Sequence, residues 1–182
     1  MSEGYVNEKR EFSSTNWQIY SCESKGWSGQ EKSGGAFDMD YCRMNDICYI
    51  RVDKGEEIIE EILEVCKRED IKSAFFMGIG GCSRAELQTF IPEEGKFETE
   101  TIEGMLELIN VTGNLVSDSG QLFHHTHAVF SYKEGNEHKM AAGHIKSMTV
   151  LYTAEIELRP VIGGVISRKH DPETGTGFWN FE

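Results

Sequence analysis

From residue 97 to 161 the chain reads as one extended segment after another, and a chain so built must close most of its backbone hydrogen bonds in a sheet. The segments are 97–102, 105–116, 121–132, 139–145 and 150–161, rich in β-branched and aromatic residues and separated by Gly, Asn, Asp and Ser. Asp118-Ser119-Gly120 and Glu134-Gly135-Asn136 are short enough to be hairpin turns, so neighbouring strands run antiparallel. No alternation of strand and helix supports a Rossmann arrangement.

One helix is expected to cover this sheet. The run Ile47-Cys48-Tyr49-Ile50-Arg51-Val52 reads as a first strand, and Asp53 followed by Glu56 has capping-box spacing, which starts a helix near Lys54. Ile58, Ile59, Ile62, Leu63 and Cys66 form its apolar stripe, and Glu57, Glu60, Glu61, Glu64 and Arg68 its solvated face. Further strands follow at 71–79 and 85–90, with Gly78-Ile79-Gly80-Gly81 read as a turn between them. A phosphate loop is the poorer reading of those glycines, because the residues after them look extended rather than helical. The fold class expected is α/β in the α+β sense, a mainly antiparallel sheet with a covering amphipathic helix.

Residues 1–37 lack any sustained period and read as an extension to a domain spanning 38–182. Trp17, Ile19, Tyr20 and Trp27 are bulky for a free tail, so the segment either docks on the domain or a neighbouring subunit, or trails as a poorly ordered appendage. The first ten residues have neither the apolar core of a secretory signal nor an Arg-rich amphipathic stretch, which makes a cytoplasmic address the expectation. No run approaches the ~20 apolar residues that cross a bilayer as a helix. Five cysteines without a C-x-x-C pair suggest reduced thiols rather than a thiolate cluster.

Acidic residues outnumber basic ones 31 to 18, a net charge of −13. Neutralising phosphates takes clustered Lys and Arg, so direct nucleic-acid binding is disfavoured, as is an anionic membrane surface.

The chemistry concentrates in Phe123-His124-His125-Thr126-His127. Strand alternation puts His125 and His127 on one face and His124 on the other. His144, on the next extended segment, can supply a third imidazole, and three neutral imidazoles are a recurrent donor set for catalytic zinc or another divalent transition metal. The alternative is that these histidines simply line a polar strand face. Glu155 is a candidate general base or extra ligand, or equally an ion-pair partner of Arg159 or Arg84. His138 and His170 lie near turns and should face solvent.

Taken in order, Tyr49-Ile50-Arg51-Val52-Asp53-Lys54-Gly55-Glu56, Gly78-Ile79-Gly80 with Ser83, Gly104, Gly113-Asn114, His125-Thr126-His127-Ala128, Ala142-Gly143-His144 and Thr153-Ala154-Glu155 resemble the plant-and-prokaryote-conserved (PPC) domain over about residues 40 to 175. The resemblance implies a homotrimer of subunits with a mainly antiparallel sheet, and a histidine cluster able to hold zinc at His125, His127 and His144. Plant members carry AT-hooks that bind A·T-rich DNA, and prokaryotic members are often called DNA-binding by that association. This sequence has no Arg-Gly-Arg-Pro hook, so that label does not transfer. A more distant similarity to the acetolactate decarboxylase fold, whose zinc is held by a His-x-His pair and a further histidine, keeps an enzyme acting on a small molecule open beside a DNA-associated or transcription-related interaction module.

Overall fold

A computed structural model describes residues 40–181. The expected extension over 1–37 lies outside the described residues. The elements are β1 (Asp40–Met44), β2 (Ile47–Asp53), α1 (Ile58–Arg68), β3 (Ala74–Ile91), β4 (Lys96–Asp118), β5 (Gln121–Glu134), β6 (Glu137–Pro160), β7 (Ser167–Asp171) and β8 (Thr176–Asn180). All strand pairings are antiparallel except a single parallel contact between Ser117 of β4 and Ser167 of β7. β3 pairs with β4 and β6, and β5 pairs with the same two strands, so β3, β4, β5 and β6 close a ring around the core.

The helix expected from the apolar stripe forms, but it starts later than Lys54. Glu57 is its N-cap, and its carboxylate accepts from the backbone amides of Glu60 and Met148, both at 2.7 Å. This ties the helix start to β6 and takes Glu57 off the solvated face. The capping-box reading survives in part, because Glu56 does reach back to accept the Asp53 amide at 2.8 Å. Ile58, Ile59, Ile62, Val65 and Cys66 are buried while Leu63 is half-buried. Each fully buried isoleucine contributes about 1.5–3 kcal/mol. They pack with Ile50 and Val52 of β2, Phe76 and Leu87 of β3, Phe130 of β5, and Ile145 and Leu158 of β6.

The turn read at Gly78–Gly81 is a correction. β3 runs unbroken through it, as β4 does through Gly104 and β6 through residues 146–149. The glycines absorb shifts of register and allow close approach. A Cβ at Gly80 would lie 2.6 Å from the Thr153 carbonyl oxygen and 2.7 Å from the Ala154 Cα, both backbone atoms of β6. The hairpin turns were legible. Ser119 and Gly120 both have positive φ, 51° and 85°, as a two-residue hairpin loop requires.

Cys48, Cys66 and Cys82 are free and buried. Cys42 is disulfide-bonded, which corrects the expectation that every cysteine is reduced. Among the described residues no helix is long and apolar enough to cross a membrane.

Candidate metal centre

β5 alternates cleanly. Thr126, Ala128 and Phe130 point into the core, and Phe123, His125 and His127 point outward. His124 lies on the inner face, half-buried, with its Nδ1 at 3.1 Å from the Thr126 hydroxyl, and takes no part in the cluster. The third imidazole arrives through register, because His144 of β6 is the residue directly opposite His127.

The ligand nitrogens of His125, His127 and His144 all lie within 4.8 Å of one another. The Nε2 atoms of His125 and His127 are 3.2 Å apart. Two nitrogens each at the usual zinc distance and a tetrahedral angle are about 3.3 Å apart, so the pair already has the separation one ion needs. Ring centroids are 5.1 Å (His125 to His127), 5.2 Å (His125 to His144) and 5.4 Å (His127 to His144), and Phe97 of β4 stacks on His144 at 5.7 Å.

Two of these rings, His144 and His125, disfavour protons. Burial, then the neighbouring His125, His127 and His124, push His144 down from 6.5 to about 4. His125 is lowered too, by burial first and then by His127 and Arg168. Neutral imidazoles are the form that binds a metal ion. The same shift has a stability consequence. Unfolded imidazole takes up a proton below about 6.5, whereas folded His144 resists until about 4, so its contribution is whole above 6.5 and is lost as the pH falls through that window. The metal-free protein should therefore melt at steadily lower temperature between those two values, and His144→Gln should flatten the trend in a pH series of melting curves.

Glu155 is not among the donors. It sits on β6 opposite Arg51 of β2 and Ile79 of β3, roughly 35 Å along the strand from His144. Neither expected ion pair forms: Arg159 pairs with Glu157, and Arg84 with Glu86 and Glu103. His138 and His170 are exposed, as expected. Sequence reasoning missed Phe97, which reaches His144 from a hairpin arm, and Arg168, which influences His125 from β7. Neither left a local signal, since both are brought in by long-range pairing.

The architecture has solved counterparts. A candidate DNA-binding protein from Bacteroides thetaiotaomicron VPI-5482 superposes with a TM-score of 0.73 at 24% identity, covering 79% of this chain and 97% of that one. A plant- and prokaryote-conserved (PPC) protein from Pyrococcus horikoshii gives 0.67 at 28% identity, covering 81% and 97%. A metal-containing protein from Archaeoglobus fulgidus gives 0.66 at 22%, covering 81% and 99%. The likeness to acetolactate decarboxylase from Bacillus subtilis is weak, with a TM-score of 0.46 at 12% identity over 63% of this chain and 52% of that one. No curated protein matches the sequence. The family model of the Plants and Prokaryotes Conserved (PCC) domain matches residues 39–162, well over half of the chain, and the chain belongs to that family.

Proposed function

We propose that this chain is a cytoplasmic homotrimeric domain in which His125, His127 and His144 hold a divalent transition metal, zinc in the first instance, to act on or sense a small molecule. The observation that carries the reading is the convergence of three imidazole rings from two paired strands on one small volume. The Archaeoglobus relative, described as metal-containing, supports it. A metal bound there would supply Lewis acidity towards a carbonyl or a water molecule. The three imidazoles orient it, and Phe97 shields one flank of His144. Three imidazoles suit nickel, copper and iron as well as zinc, so the metal is to be read by elemental analysis of untagged protein. Near one ion per chain supports the proposal. A metal-free protein that keeps its fold when His125→Ala is introduced would favour an interaction module instead.

Support for assembly comes from an exposed apolar stretch on the sheet. Phe75, Met77 and Ile79 alternate outward along β3, and Ile109 and Tyr152 continue the stretch on β4 and β6, each at least 40% exposed. Patches of this kind on a soluble domain mark an association surface. Ile79→Glu and Ile109→Glu together should convert a particle of three chains to single chains in light-scattering measurements, with the helical and sheet signal retained.

Glu155 lies in the middle of that stretch, lining a surface hollow of about 550 Å³ with Ile79, Met105, Ile109 and Tyr152. Because the histidines of its own chain lie roughly 35 Å along the strand, a role as a base would require assembly to bring a neighbouring chain's cluster to this hollow. Glu155→Gln should leave the metal content unchanged.

The name of the Bacteroides relative raises DNA binding as the second reading. Against it stand 31 acidic residues and 18 basic ones. We expect no retardation of duplex DNA below micromolar protein at moderate salt.

A further inference from the structure

A guanidinium stands beside the histidine cluster on a strand that the metal reading does not use. Arg168 belongs to β7, and its cross-strand partner in the β7–β8 hairpin is Trp179. Two anchors seat this hairpin against the histidine-bearing face. The Arg168 Cζ lies 3.8 Å from the centre of the Phe123 ring, and Phe123 precedes His125 by two residues on the same face of β5. The Trp179 indole donates to the Asn114 Oδ1 at 3.4 Å, and Asn114 is the residue of β4 directly opposite His125. The ring beneath the guanidinium thereby belongs to the residue one strand step, roughly 7 Å along β5, before His125.

Its fork is not saturated. The ion pair it makes among the described residues is a long one, Nη1 to the Asp118 Oδ2 at 3.5 Å, against about 2.7–2.9 Å for a well-formed charge-assisted bond. The space it occupies is reserved by Gly177, where a Cβ would collide with the guanidinium itself. A fixed cation next to three imidazoles works against a bound metal ion, and an anion lying between the two positive centres reverses that penalty.

Resting on the metal reading above, we propose that Arg168 binds the carboxylate of a small organic acid, of about two to five carbons, whose other end reaches the ion held by His125, His127 and His144. The planar fork of arginine matches a carboxylate with two parallel hydrogen bonds. The ring of Phe97 lies on His144 and that of Phe123 lies under the guanidinium, and two apolar rings beside the polar groups favour a short carbon skeleton. Phosphate is the lesser fit, because a phosphate site ordinarily gathers several donors or a helix N-terminus, and a single guanidinium serves here.

The test uses full-length protein loaded with zinc, its zinc content measured first. Malonate, succinate and pyruvate are titrated calorimetrically, each against its neutral amide, into wild type, Arg168→Gln and Gly177→Ala. The last variant displaces the guanidinium without removing it. At least one acid should bind wild type about tenfold or more tightly than its amide. Arg168→Gln should abolish that preference, Gly177→Ala should weaken it, and both should keep their zinc. Acids that bind no better than amides, an unchanged preference in Arg168→Gln, or inorganic phosphate that outcompetes every acid would overturn the proposal. Zinc-free wild type would take down the metal reading and this one with it. Zinc present without acid preference takes down this one alone.

Discussion

Replacing His144 with alanine should lower metal affinity by about two to three powers of ten, which empties the site at ordinary trace-metal concentrations. The size follows from dividing a typical apparent binding free energy of about 10–16 kcal/mol among a few ligands, so that losing one forfeits several kcal/mol. His144 is the decisive position, because it is the one donor that β5 does not carry. His125 and His127 are two residues apart and stay together whatever β6 does, but without the opposite strand they are only a pair. Elemental analysis before and after dialysis against a weak chelator would show near one ion per chain falling to near none. His124→Ala is the control. That ring is on the inner face, bonded to Thr126, and its loss should leave the metal content unchanged. An alanine variant at His144 that retained its metal would mean that the cluster is not the site.

The histidine cluster was legible because it depends on two regularities that sequence displays openly. Alternation on a strand decides that His125 and His127 share a face, and a short hairpin turn at Gly135-Asn136 decides that the following strand folds back beside it. The exact pairing of His144 with His127 then needs only the register of one hairpin. Glu155 shows where this reasoning ends. It lies on the same strand as His144, but β6 is so long that the two residues serve opposite ends of the sheet. Local signals split β6 into two short strands, and so concealed that separation. Arg168 was illegible for a different reason, since its place beside Phe123 comes from the packing of a terminal hairpin on a distant strand. The helix was legible in type but not in onset. Its cap is Glu57, a residue that earns this position from a tertiary bond to the Met148 amide, which no capping pattern encodes.

Gly80→Ala should be among the most damaging single substitutions in the chain, costing about 3 kcal/mol or more, although it adds one methyl group. The backbone at Gly80 lies outside the left-handed region, so conformation is not the obstacle. Space is. The added carbon would fall 2.6 Å from the Thr153 carbonyl oxygen, 2.7 Å from the Ala154 Cα and 2.8 Å from the Ala154 Cβ. These atoms belong to a paired strand and cannot swing aside as a flexible side chain would. Relief requires β3 and β6 to separate at the point where register already shifts between Gly80 and Cys82. Gly143→Ala supplies the contrast on the same strand pair. Its nearest neighbour would be a Leu87 side-chain carbon at 3.6 Å, an ordinary contact, and the loss of unfolded-chain freedom should leave stability unchanged or raised by about 0.5 kcal/mol. Denaturant melts of the two variants would separate the readings of this glycine run. If the glycines served as a turn, as their sequence suggests, alanine at 80 would be tolerated about as well as alanine at 143. If they let two strands pass at close range, the first variant should unfold at far lower denaturant than the second.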